Sequence, residues 1–237
     1  YGLTFYFRFK DLKPFLKIGL FQVGGQTSNF INQNLDILII GKIFSQEILG
    51  GYSLAKQLVF RPAQVINPIL TKVAAPALAK FQDNLELLKK NYLKLINIVS
   101  SINIITYLML IIFAPIIVNI FYGGGYTSIV LYVRILCVYM VFRSIGNPIG
   151  SLVIATGRTD IEFLWNTLLL ILMPFAVYFG SLFGIVAVTI SLTVTMMLLF
   201  VPSWYFLVRK MTGATLKEYL SAILSVNFNF LKKNINS

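Results

Sequence analysis

The chain contains no histidine and a single cysteine, Cys137. Without a second thiol no disulfide forms within it. Without histidine, neither a His-ligated metal site nor a His-based catalytic triad can be built. Acidic residues are scarce too: eight stand against 20 lysines and arginines, for a net charge of +12. Charged residues of both signs make up only 12% of the chain, about half the share in a soluble domain. Apolar side chains fill the remainder, with 57% hydrophobic residues and a mean hydropathy of +0.81. These values exclude an ordinary soluble domain and a disordered chain, and point to an all-α polytopic membrane protein. The lysines sit between apolar runs rather than in one patch. The basic balance therefore suits anionic lipid at a cytoplasmic surface, not nucleic acid. No cofactor and no metal are expected.

Six spans are expected, at about 15–40, 48–79, 93–113, 129–155, 163–179 and 185–208, forming one lobe over residues 1–212. A basic amphipathic tail, 213–237, with Lys217, Lys232 and Lys233, is expected on the membrane surface. The segments before the first span and after the second, fourth and sixth are basic. The others are nearly uncharged, Lys42 excepted. The positive-inside rule then places both ends in the cytoplasm. Asp83 is the expected cap of the third helix. Pro115 is expected to open a short interfacial helix that Gly123 to Gly125 end; this triplet matches no phosphate-binding spacing. The chain opens with Tyr1 and a stretch without signal-peptide character, so it is expected to be the later part of a longer membrane protein.

Inside the spans the polar residues are ordered. Gln22, Gln26, Asn29, Gln33 and Asp36 recur at spacings of four, three, four and three, which is one face of a helix. Amides cannot face lipid unsatisfied. They bond either neighbouring helices or a hydroxyl-rich substrate, and the sequence leaves both open. The second span carries Pro62, Pro68 and Pro76 together with Lys56, Gln57, Arg61, Gln64 and Asn67. Helical spacing puts Ser53, Gln57, Arg61, Gln64 and Thr71 on one face, with Leu54, Leu58, Val65 and Ile69 opposite. Cations at such depth mark a substrate or ion path. Arg61 lies roughly 18 Å into its helix at 1.5 Å per residue. Arg143 lies deep in the fourth span, with Tyr139 and Asn147 four residues to either side. Structural roles compete: Lys56 can snorkel, Arg61 can bond carbonyls freed by prolines, Arg143 can pair with an acid elsewhere, and Asp36 can pair with Lys42 or Arg61.

NQNLDILIIGKIF at Asn32–Phe44, LGGYSLAKQL at Leu49–Leu58, PALAKFQDN at Pro76–Asn84 and GSLVIATGRTD at Gly150–Asp160 follow one another in order. In these blocks the chain resembles the polysaccharide-exporter branch of the multidrug/oligosaccharidyl-lipid/polysaccharide flippase superfamily. The resemblance implies two six-helix lobes, of which this is the second, with an N-terminal six-helix half as partner and a site between them. It implies no enzyme activity. The implied task is translocation of an undecaprenyl-diphosphate-linked oligosaccharide across the bacterial inner membrane, for O-antigen, capsule or exopolysaccharide, with membrane lipid around it. The diphosphate would meet Arg61, Lys56 and Arg143. The glycan would meet Gln22, Gln26, Asn29, Asn32, Gln33 and Gln57, and Asp36 would carry a coupling ion or form a structural pair. A drug or cation antiporter of the same superfamily is the rival, disfavoured because Asp36 is the lone acid of the spans against several cations. A membrane glycan enzyme fits less well, since no large loop with paired carboxylates is present.

Overall fold

In the computed structural model the backbone is described for residues 9–225, and side chains within it except at 9–15, 17, 67 and 69–71. Most of the expected lead-in, the side chain of Thr71, and Lys232 and Lys233 lie outside the described residues. Among those described there is no strand. The helices are α1 (Phe9–Ile43), α2 (Gln46–Ala79), α3 (Leu85–Tyr122), α4 (Ile129–Ile145), α5 (Pro148–Thr156), α6 (Thr159–Ser181), α7 (Ile185–Ser203), α8 (Lys210–Thr212) and α9 (Leu216–Leu224). Four helical stretches are long and apolar enough to cross a bilayer by composition: Leu85–Tyr122, Ile129–Thr156, Thr159–Ser181 and Ile185–Thr212. The chain is thus an all-α polytopic membrane protein. α1 and α2 have the length, at 35 and 34 residues, but are too polar to join that set.

The helix ends follow local chemistry. The Ser45 hydroxyl accepts from the Ile48 amide at the start of α2. At α3 the cap is Asn84, not Asp83: the Asn84 side chain accepts from the Leu87 amide at 3.1 Å. α3 then runs on through Pro115 as one helix of 38 residues, so no separate interfacial helix forms there. It stops at Gly123, whose φ of 84° suits a residue without a β-carbon. The expected fourth span is broken at Gly146–Asn147, just before Pro148, which occupies the first turn of α5. α7 continues through a π-helical stretch, Trp204–Arg209, that begins two residues after Pro202, which cannot donate to the helix ladder.

Successive long helices alternate in direction, and two hydrophobic clusters mark the two ends. At one end Ile40, Tyr52, Val118, Ile129, Val177 and Ile185 pack together. At the other are Leu78, Leu88, Leu152, Ile161, Leu207 and Tyr219. Lys80, Lys89, Lys90, Arg158, Lys210 and Lys217 belong to turns and helix ends at the second, basic end, whereas the first carries Lys42 and Glu47. The tight α6–α7 hairpin depends on Gly180, where a β-carbon would stand 2.7 Å from the Val188 Cα. α9 is amphipathic, and its apolar face lies on protein. Tyr219 and Ile223 are buried, and Asn97 of α3 donates to the Ala222 carbonyl at 2.8 Å. The Ser100 hydroxyl donates to the Ile223 carbonyl at 3.2 Å.

Candidate functional site

α1 lies along α6, and the two run parallel. Thr159 donates to the Ile18 carbonyl at 3.3 Å, Asn166 to the Gly25 carbonyl at 3.2 Å, and Asn32 to the Asn166 carbonyl at 3.0 Å. The polar contacts from α1 to α2 gather instead at one level. There the Lys56 ammonium reaches both Asp36 oxygens at 2.5 and 2.7 Å and the Gln33 carbonyl at 2.5 Å. The Tyr52 hydroxyl donates to the same carboxylate at 2.5 Å. Tyr52 and Lys56 are one turn apart on α2, so both reach Asp36 from one face. Asp36 therefore pairs with Lys56, not with Lys42 or Arg61. Lys56 is 7% exposed, so it does not snorkel outward. Its charge is already neutralised within the chain. A small space of about 10 Å³, room for about one water, adjoins this triad.

Toward the basic end, α1 and α2 separate, and a cleft of about 450 Å³ opens between α1, α2, α4, α5, α6 and α7. Asn29 and Gln33 border it from α1, Gln64 from α2, Arg143 from α4 and Asn166 from α6. Arg143 is held in place rather than neutralised. Its guanidinium donates to the Tyr139 hydroxyl at 2.9 Å and to Asn29 Oδ1 at 3.3 Å, and rests 5.9 Å from the Phe60 and Tyr139 ring centres. No carboxylate pairs with it among the described residues. Two neutral contacts leave N–H groups of the planar fork free, a geometry suited to carboxylate or phosphate oxygens. Phe60 and Gln33 border both cavities and stand between the two cations.

Of the residues singled out from sequence, the cleft gathers Asn29, Gln33 and Arg143, while Asn32, Asp36 and Lys56 line the smaller space. Arg61, Gln57 and Gln26 are exposed and border neither cavity; Gln22 is partly buried and also borders neither. α2 is turned differently from the expected apolar stripe. Val65 is 65% exposed, and the buried face is Tyr52, Ala55, Lys56, Val59, Phe60 and Ala63. Tyr52, Asn166 and Glu162 were not legible as site residues. The spacing of Tyr52 to Lys56 was the one available signal. Asn166 and Glu162 acquire meaning only through the packing of α6 on α1 and α5.

The sequence profile of the polysaccharide biosynthesis protein family matches residues 1–131, more than half of the chain. Lipopolysaccharide biosynthesis protein WzxC of Escherichia coli (strain K12) is 32% identical over 219 residues, covering 92% of this chain and 44% of the relative. Amylovoran biosynthesis protein AmsL of Erwinia amylovora is 29% identical over 219 residues, covering 91% and 56%. Teichuronic acid biosynthesis protein TuaB of Bacillus subtilis (strain 168) is 29% identical over 220 residues, covering 92% and 44%. The chain thus spans about half the length of the curated relatives it matches. No solved structure gives a significant match. The matched region contains α1 and α2 and both halves of the Asp36–Lys56 pair, and on it the chain belongs to the polysaccharide biosynthesis protein family.

Proposed function

We propose that the full-length protein is a flippase for an undecaprenyl-diphosphate-linked oligosaccharide, acting in the bacterial inner membrane, with this chain as one six-helix lobe and both its ends cytoplasmic. The observation that carries this reading is Arg143: a cation without a carboxylate partner among the described residues, fixed by Tyr139 and Asn29 at the wall of an amide-bearing cleft. In a site shielded by apolar walls, attraction to a diphosphate is far stronger than in water. The amides of Asn29, Gln33, Gln64 and Asn166 supply donors and acceptors for sugar hydroxyls at the same wall. Three relatives are named for biosynthesis of lipopolysaccharide, amylovoran and teichuronic acid, which favours a polymer precursor as cargo. In this reading the exposed Arg61, Gln57 and Gln26 face the second lobe, and rocking of the lobes moves the cleft between the two sides. Asp36, occupied by Lys56 and Tyr52, serves as a structural pair that a coupling ion would have to displace. The test is Arg143→Ala in the full-length protein, with its amount in the membrane measured. Surface polymer should fall by at least about tenfold, with Arg143→Lys retaining part of the activity. Undiminished polymer at normal protein levels removes Arg143 from the site.

A further inference from the structure

Glu162 has no role in the reading above. It stands in the first turn of α6, where a carboxylate suits the helix dipole, yet it borders the same cleft as Arg143. Among the described residues it forms no ion pair. Across from it α5 presents Gly150, where even a β-carbon would stand 4.0 Å from Glu162 Oε1. That stretch of wall is bare, and the carboxyl group looks over it. One turn before Gly150, Asn147 also borders the cleft, and its side-chain nitrogen, buried and without a hydrogen-bond partner among the described residues, can donate to a ligand once the side chain turns toward the cleft. A buried donor left unpaired is costly unless a ligand completes it. One turn after Glu162 on α6, Trp165 adds an aromatic face to the cleft, joined by Phe142 and Phe200.

We propose that Glu162 and Asn147 form a subsite for a neutral pyranose, with Trp165 as its platform, next to the anion held by Arg143. The chemistry matches part by part. A carboxylate accepts from two sugar hydroxyls, and an amide nitrogen donates to the oxygen of one of them. The C–H face of a pyranose ring packs on an aromatic surface. Asn147 follows Arg143 by four residues across the α4–α5 turn, and both border the cleft, so one ligand can meet both. The carboxylate also discriminates: a uronic acid would bring a second negative charge against Glu162. This inference rests on the Arg143 reading for its ligand, and it adds that the sugar near the anionic linkage is uncharged.

The experiment uses the full-length protein in nanodiscs at pH 8 and three probes: geranyl β-glucoside, geranyl β-glucuronide and geranyl diphosphate. Wild-type protein should bind the glucoside at least about tenfold more tightly than the glucuronide. Glu162→Gln should narrow that ratio to under about threefold by tightening the glucuronide. Equal binding of the two glycosides by wild-type protein overturns the proposal, as does binding of neither, or a ratio that Glu162→Gln leaves intact. Absence of geranyl diphosphate binding strikes the Arg143 reading instead. The glycosides carry no phosphate and still decide the role of Glu162.

Discussion

Lys56 illustrates how a membrane cation can be turned inward. A buried ammonium opposite a buried carboxylate gains little net stability over an apolar pair, because both ions lose their hydration. Removing one partner is another matter, since the remaining charge stays buried and unpaired. Lys56→Met should therefore destabilise the protein by about 3–5 kcal/mol, and the double variant Asp36→Asn/Lys56→Met should recover most of that loss. Denaturant titration in mixed micelles measures both. A double variant as unstable as Lys56→Met would show that the pair does not act as a unit. Tyr52 adds a third bond to the same carboxylate, so Tyr52→Phe should cost less than loss of Lys56. Among the described residues bordering the cleft, the cation left available is Arg143, whose partners Tyr139 and Asn29 orient it without cancelling its charge.

At the scale of the element, α9 shows a helix secured by its own first turn. Thr215 accepts from the Glu218 amide, and the Glu218 carboxylate accepts from the Thr215 amide at 2.7 Å. Lys89 of α3 lies 3.4 Å from the same carboxylate, tying α9 to the bundle. The backbone amide and hydroxyl of Thr215, with Lys89 as a lesser contribution, hold the Glu218 carboxyl below the ordinary glutamate range. A depressed folded-state pKa means that the ionised form favours folding. The contribution is complete above the unfolded value, about 4.3, and is lost as pH falls through the lower folded value. Hydrogen exchange of the 216–224 amides, corrected for intrinsic rates, should show protection that drops between pH 5 and 3 by way of Glu218. Glu218→Gln should remove that dependence. Protection with the same pH profile in the variant would assign it to another group.

For the whole molecule, the charge pattern has a spatial counterpart. The turns after α2 and α5 and the segment after α7 share the basic end with the start of α3, while the turns after α1 and α6 lie at the other end with few charges. If that distribution orients the chain in the inner membrane, Lys42 and Lys217 lie on opposite sides. In intact cells a membrane-impermeant maleimide should label Lys42→Cys and leave Lys217→Cys unlabelled until the membrane is opened. Cys137, buried in the bundle, contributes no background from this chain. Labelling of both positions in intact cells would sink the assigned topology. The cleft and the pair also belong to this scale. α1 touches α2 at the Asp36 level and diverges from it below, so the same two helices close one region and open the next.

Composition alone determined that this chain lives in a bilayer as helices, because so few charges and so many apolar residues leave no other solvent that suits it. The alternation of basic and uncharged segments led to an expected order of turns between the helices. Periodic amides on α1 pointed to a face that meets protein or substrate; of that row Asn29, Gln33 and Asp36 turn inward, whereas Gln26 is exposed. Helical spacing could not say which cation is neutralised. Lys56 and Asp36 are 20 residues apart, and their meeting depends on how α1 and α2 are rotated about their own axes. Nor could it place Glu162 beside Gly150 or leave the Asn147 side-chain nitrogen without a partner among the described residues, since those depend on a break at Gly146 and on the packing of α6. Local sequence sets which groups a helix carries; only the packed bundle decides which of them find a partner and which are left facing the cleft.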